Sequence, residues 1–380
     1  MLPRFLKTFC SAIRLLVLPG LTAGLVAGCQ AGPLPLTPIT TTNQFSRFIG
    51  VDYFDNFAHP AGHRGETVLL SPAIAADIPW NELIVSWNAE APAGTYVKVE
   101  ASAIADGKPT KFYTMGLWSL DNRIFPRTSV RGQKDADGKV DTDTLVLAKL
   151  ATAAQIRITL GGTNGLMPSL KFLGLSFANT RALLTNRPPN RAAWGKIIPT
   201  PGHSQHGYPH ESGWCSPTSL SMVLSRWAGI LHRPELDLTV PVVAGAVYDN
   251  SFAGTGNWPF NTAFAGSFPG MRAYTTRFDD LREVEDWIAA GIPVILSARW
   301  DYLKDGRPYD PNGHLIVCTG FTPDGDVVIN DPATRLDRGE KVQHIYKRAN
   351  VIRSWAKSDN AVYLVYPEGT PLPADPYRHW

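Results

Sequence analysis

The sequence predicts two domains, an all-β half followed by an α+β half. Three observations predict it. From Phe45 to about Ala178, short β-like runs recur between glycine-containing turns. From Pro217 the apolar spacing changes to that of a helix, and prolines at 188, 189, 199 and 201 stand between the two stretches. Period-two alternation marks strands, a 3.6-residue period marks helices, and proline clusters mark connections. A length of 380 residues fits two domains of ~150 residues each. With 44% hydrophobic residues, 18% charged and 11 tryptophans, the chain has the makings of packed cores rather than of disorder. Its 33 glycines and 31 prolines argue against a helix-dominated bundle and a polytopic membrane protein. A formal net charge of +3 without a basic run argues against nucleic acid as a partner.

Residues 1–28 read as an export signal. Arg4, Lys7 and Arg14 form a basic start, and Leu15 to Val26 an apolar stretch broken by Pro19 and Gly20. The stretch is shorter than the ~20 residues that span a bilayer. It closes as Leu25-Val26-Ala27-Gly28-Cys29, which resembles a bacterial lipobox and implies a lipid on Cys29. The alternative is an ordinary signal peptide cut at Ala-Gly. Residues 29–44 are then a Pro/Thr-rich tether, and Gln30, where inner-membrane lipoproteins of diderm bacteria carry Asp, implies the outer membrane. The expected location is the cell envelope on the periplasmic side, with the membrane reached through the anchor. Of four cysteines, Cys10 leaves with the leader and Cys29 takes lipid. Cys215 and Cys318 remain, in a compartment that permits disulfides.

Residues 45–185 are expected to form a β-sandwich or jelly roll. Strand runs are 83–87, 96–100, 111–115, 144–147 and 155–160, with turns at Ala93-Gly94, Asp106-Gly107, Asp137-Gly138 and Gly161-Gly162. Val97, Val99 and Ala101 alternate with Lys98 and Glu100, as on a strand with one wet face. Asp135, Asp137, Asp141 and Asp143 suggest calcium, but Gly138 falls at the wrong loop position and no Glu closes the loop, which favours an acidic hairpin.

A linker over 186–200 leads into a second domain over 201–380, and the two halves are expected to separate at this joint. Leu220, Val223, Leu224 and Trp227 have helical spacing, with Ser216 as N-cap, Pro217 at the first helical position and Gly229 as stop. Leu281 to Ala290 reads as a helix closed by Gly291, followed by strands at 293–297, 315–319, 326–330 and 361–366.

Cys215 stands at the threshold of that first helix. The positive end of the helix dipole and its unpaired N–H groups favour thiolate and can also donate to an oxyanion. His314 enters the strand 315–319, where a general base can reach a nucleophile on a neighbouring helix. His314 and Cys318 are four residues apart, roughly 13 Å along an extended strand. A Cys215–Cys318 bridge and a Cys215–His314 hydrogen bond therefore exclude each other. A third group must orient the imidazole, and Asn330-Asp331 ends the next strand. A two-residue turn at Asp324-Gly325 pairs Cys318 with Asp331, too far from His314. A loop from Phe321 to Asp326 pairs Gly320 with Val327 and Ile316 with Asp331, placing Asp331 diagonal to His314 at ~7–8 Å between Cα atoms. Asp331 is preferred, with Asn330 second.

Trp214-Cys215-Ser216-Pro217-Thr218, Gly313-His314-Leu315-Ile316-Val317 and Asn330-Asp331-Pro332-Ala333 together resemble the C39-like cysteine peptidases, known for cleaving bacteriocin leaders after a double glycine. Glu283 to Ile288 followed by Gly291-Ile292-Pro293-Val294 is similar to the family's helix-then-strand block. The resemblance covers roughly 195–368. It implies a papain-like fold, Cys215 as nucleophile, His314 as base then acid, Asp331 as orienter, and a glutamine upstream as oxyanion donor. Gln205, ten residues before Cys215, takes that place at a longer spacing than the family's usual one. The chain lacks the membrane and ATPase domains of the leader-processing transporters, so leader processing is not implied.

His203, His206 and His210 lie within eight residues, but Gly207 and Pro209 interrupt any helix and no carboxylate completes a zinc site; no metal or other cofactor is expected. Trp214, Trp258 and His210 are candidates for a substrate groove, beside Phe260 and the Gly254-Thr255-Gly256-Asn257 loop. The expected activity is hydrolysis of a peptide or amide bond through an acyl-thioester. A cell-wall amidase or transpeptidase-like enzyme acting on a peptidoglycan peptide and a non-catalytic surface-binding lipoprotein are the alternatives.

Overall fold

The computed structural model describes residues 44–380 apart from 185, 210–212, 306–308 and 311. The stretch expected as a leader over 1–28, Cys29 and His210 lie outside the described residues. Nine strands come first: β1 (Ser46–Val51), β2 (Glu66–Leu70), β3 (Ile74–Glu90), β4 (Thr95–Ala105), β5 (Lys108–Pro109), β6 (Tyr113–Trp118), β7 (Gly138–Asp141), β8 (Thr144–Gly162) and β9 (Ser169–Ala178). All pairs are antiparallel, and the nine make one hydrogen-bonded network with the central order β1-β9-β3-β8-β4-β5.

The all-β half is thus as the sequence suggests, but its strands are longer and differently joined. The runs 144–147 and 155–160 are two ends of one strand, β8. Its first end pairs with β7 and β3, and its second with β2 and β4. Gly161-Gly162, expected as a turn, closes β8 and still pairs with Tyr96 and Thr95. The inward faces of all the long strands meet in a single core around Trp80, Trp87, Val99, Ile158 and Leu175. The acidic hairpin is a fastener: Asp135 accepts from the Tyr113 hydroxyl at 2.6 Å and pairs with Lys111 at 2.8 Å.

The second half contains α1 (Cys215–Leu231), α2 (Val240–Val247), α3 (Trp258–Ser267), β10 (Met271–Arg277), α4 (Leu281–Ala289), β11 (Val294–Arg299), β12 (Gly313–Phe321), β13 (Val327–Asn330), β14 (Gln343–Tyr346), α5 (Arg348–Trp355) and β15 (Ala361–Pro367). Its six strands form one antiparallel sheet, β10-β15-β11-β12-β13-β14. This is the α+β half. The first helix starts two residues earlier than its sequence signals suggest: Trp214 is the N-cap, and Ser216 is buried with its hydroxyl 2.9 Å from that of Tyr363. Pro217 falls in the first turn, where its missing N–H costs no helical bond. The helix also runs past Gly229 and stops at His232 in the left-handed conformation, φ +54°.

The two halves share their packing. Residues from 41 onward make one unit. Leu83-Ile84-Val85 is continuously apolar because β3 is buried on both faces, as parallel-sheet strands more often are. One face enters the first core; the other meets β10. There the Asn88 amide donates to the Ala273 carbonyl at 2.7 Å and accepts from its N–H, while Ser86 Oγ accepts from Thr275 N–H at 2.9 Å. These side chains satisfy the open edge of β10 as a neighbouring strand would. Phe260 of α3 lies in the first core against Trp87, and Phe48 of β1 stacks on Tyr274 in the second.

The stretch expected as a linker over 186–200 is a bound strap. Arg187 makes a bidentate pair with Asp280 and reaches Glu283; Asn190 and Trp194 donate to Glu285. Farther on, the strap runs beside β12, with Ile198 N–H on Thr319 O at 2.7 Å.

Candidate active site

The local fold brings three of the sequence-predicted residues together. Cys215 is the first residue of α1, and Ser219, one turn on, donates to Leu315 O at 2.9 Å, which docks the helix on β12 next to His314. The Cys215 thiol and the His314 imidazole face one another closely enough that each shifts the titration of the other. His314 Nε2 lies 2.8 Å from Asp331 Oδ1, so Nδ1 is the nitrogen left for the thiol. All three are buried, Asp331 at 1% exposure.

The register that delivers Asp331 combines a correction and an agreement. At the hairpin end Phe321, not Gly320, faces Val327, because Thr322 to Asp326 closes the turn by itself. A bulge between Cys318 and Gly320 then takes up one residue, so Val317 faces Asn330 and the strand leads Asp331 to the His314 side as the sequence argument required. The bulge sits where the strap presses on β12: a Cβ on Gly320 would lie 2.2 Å from Lys196 O. Only glycine allows that approach.

Charge is shared along the chain of three groups. Burial alone would raise the thiol of Cys215; the hydrogen bond and charge of His314, with backbone N–H groups of Leu315 and Ser216, outweigh it and lower the thiol below its ordinary value. Burial would likewise depress His314, but the Asp331 carboxylate and the Cys215 sulfur raise it to about 9. Asp331, although buried, is held well below the usual carboxylate range by His314, by the Tyr346 hydroxyl at 2.5 Å and by Ala333 N–H at 2.9 Å. The arrangement favours a thiolate–imidazolium pair. Cys318 is the contrast. It is a free thiol buried in the sheet, and burial pushes it up to about 12.

A cavity of about 700 Å3 opens over Cys215 and His314 and is lined also by Gln205, Trp258 and Trp300. Gln205 therefore reaches the site despite its long spacing; Pro332 O holds its backbone N–H at 2.8 Å, and its buried Oε1 has no hydrogen-bond partner. The residue expected as oxyanion donor thus borders the same cavity as the nucleophile. Trp258 lines the cavity as N-terminal residue of α3. Trp214 does not: as N-cap of α1 it packs on Tyr208, with ring centroids 5.9 Å apart. His206 lines the cavity, and His203 turns to Ser221 at 2.8 Å.

Two residues of the site escaped the sequence reading. Trp300 meets the His314 ring edge-on at 4.5 Å between centroids, and Tyr346 donates to Asp331 from the far strand β14. A tryptophan just after strand β11 was a signal for the first. Tyr346 carried none, since it lies 15 residues beyond its partner.

Two family models match the chain, the Peptidase C39 N-terminal domain over residues 49–178 and the Peptidase_C39 like family over 197–363. The resemblance to C39-like peptidases is thus found in both halves. No curated protein matches. Among solved structures, one described as a "putative C39-like peptidase from Bacillus anthracis" is 17% identical at a TM-score of 0.34, covering 45% of this chain and 97% of its own.

Proposed function

We propose that the protein is an exported, lipid-anchored cysteine hydrolase that cleaves a peptide or amide bond through an acyl-thioester. The observation that carries this reading is the buried set Cys215, His314 and Asp331, with His314 hydrogen-bonded to Asp331, beside an open cavity that Cys215 and His314 line. A cysteine at a helix start beside a histidine on a strand and an aspartate just past the next strand supports a papain-like arrangement. The family matches support peptidase chemistry. The leader over 1–28 and the lipobox-like Cys29 support export, anchoring and an envelope location on the periplasmic side.

In this reading the Cys215 thiolate attacks the carbonyl carbon, and the carbonyl oxygen becomes an oxyanion facing the Gln205 amide and the N–H groups at the start of α1. The tetrahedral carbon collapses as the C–N bond breaks, and His314 gives its proton to the leaving amine. Water then enters. His314 takes a proton from it, hydroxide adds to the thioester carbon, and the acid leaves as the C–S bond breaks. Asp331 keeps the imidazole oriented and supports its positive charge throughout, without itself taking the proton.

The test is labelling of Cys215 with iodoacetamide, read by peptide mass. Labelling that falls on His314→Ala supports the hydrolase; equal labelling in both proteins overturns it in favour of a binding lipoprotein. Digestion of peptides against muropeptides distinguishes peptidase from cell-wall amidase. Metabolic labelling with palmitate, lost in Cys29→Ser, tests the anchor.

A further inference from the structure

The Tyr248–Trp258 loop forms one wall of the cavity over Cys215, to which Phe252, Ala253, Gly254, Thr255, Gly256 and Trp258 contribute. The fastenings of this loop come largely from the β-rich half. Arg127, 1% exposed, donates to the carbonyls of Tyr248 and Gly245, and its own carbonyl accepts from Asn250 N–H at 3.0 Å. Asn250 Nδ2 reaches Asn122 at 2.8 Å. Ser129 N–H donates to Asp249 Oδ1 at 3.0 Å, and Trp258 N–H donates to Asp143 Oδ2 at 2.7 Å.

Asp249 is the knot. Fully buried, it accepts on Oδ1 from Ser129, Ser251 and Phe252 N–H groups and on Oδ2 from the Asn257 amide at 2.9 Å. It ties the β-rich half, the loop and the cap of α3 to one carboxylate. Ala253 is held at φ +58°, a conformation that L residues avoid and that persists only when surroundings fix it. Thr255 completes the link to the chemistry, donating to Gly213 O at 2.9 Å two residues before Cys215. On its other side the loop borders a second cavity of about 370 Å3, where Asp143, Thr142 and Glu82 of the β-rich half face Phe252, Gly256 and Trp258. The loop is thus a partition whose anchors lie mostly in the first half of the chain.

We propose that the β-rich half serves substrate selection, with Asp249 and Asp143 as positioning residues that set the Tyr248–Trp258 loop as the wall against which a peptide lies beside Cys215. The inference rests on the hydrolase reading above. It separates two properties: thiol reactivity, set by His314 and Asp331, and capture of an extended substrate, set by the loop.

The experiment compares two probes on the full chain, iodoacetamide and a tripeptidyl chloromethyl ketone, with saturation kinetics giving KI and kinact for the second. Asp249→Asn and Asp143→Asn are expected to raise KI by about fivefold or more while iodoacetamide alkylation of Cys215 stays within about twofold. If Asp249→Asn does not fold, Asn250→Ala at the exposed end of the clamp carries the same expectation at smaller size. Unchanged KI in the folded variants overturns the proposal, and so does a parallel loss with both probes, which would mark a general structural role. Absence of His314-dependent labelling in the wild type overturns the hydrolase reading and this inference with it.

Discussion

Asp331→Asn keeps the size of the side chain and one acceptor oxygen, removes the charge facing His314, and turns the second acceptor, which takes the Tyr346 hydroxyl, into an NH2 donor. His314 stands at about 9 because that carboxylate and the Cys215 sulfur outweigh burial. Hydrogen bonds to charged groups contribute ~1.5–3 kcal/mol. At ~1.4 kcal/mol per pH unit, loss of the charge lowers His314 by about one to two units. The imidazolium in turn is what lowers Cys215, so the thiol moves the opposite way, upward, by a similar amount. The assay is the rate of Cys215 alkylation by iodoacetamide across pH. The acid limb should shift to higher pH by about one to two units, a slowing of about 10- to 100-fold at a fixed pH on that limb. Cys318, pushed up to about 12 within the sheet, gives a silent internal control. Tyr346→Phe, which removes one donor to Asp331 but keeps its charge, should leave the limb in place or move it slightly to lower pH. An alkylation profile for Asp331→Asn that overlays the wild type would refute the argument that this carboxylate sustains the ion pair. Stability has a matching sign. Asp331 is depressed, so its contribution is present above the ordinary carboxylate value and is lost on acidification; His314 is raised, so its contribution is full below about 6.5 and is lost as pH rises through about 9. The Asn variant should show both dependences weakened in urea titrations.

Gln205→Ala should reduce kcat for a cleaved peptide by about 10²- to 10³-fold with KM little changed, as loss of one oxyanion donor does; an undiminished kcat would remove Gln205 from the site. Gly320→Ala should cost ~1–3 kcal/mol, because the new Cβ meets the backbone of Lys196 and Ile197 rather than a movable side chain; an unchanged Tm would show that the strap is not pinned there. Cys215 and Cys318 should both titrate as thiols in denaturant without reductant, and a mapped bridge between them would contradict the placement of Cys215 beside His314.

The catalytic candidates were legible because each sits at a local signal. A helix start exposes Cys215, a strand entry presents His314, and a strand end followed by proline marks Asp331. The register was legible only in outcome. Gly320 signals a close approach, but that the approaching chain is Lys196-Ile197 cannot be inferred from its neighbours in sequence. The union of the halves was not legible at all. Asn88 meets Ala273 across 185 positions and Arg127 meets Tyr248 across 121, and no periodicity reports such contacts. β3 carries the one trace of it: its continuous apolar run predicts a strand, and the continuity reflects burial on two sides.

Phe260 has a consequence for how the protein is made. Its ring sits against Trp87, so close to Gly116 that a Cβ there would lie 2.8 Å away. During synthesis the nine-stranded half emerges first, with this aromatic socket empty and the outer face of β3 bare. Uncovered apolar surface on unfinished sheets is what aggregation exploits, and long-range pairing is slow to close. The β half made alone is expected to lack its final packing until α3 and β10 are present. Mature chains should accordingly melt in a single cooperative step, with no plateau in which one half survives the other.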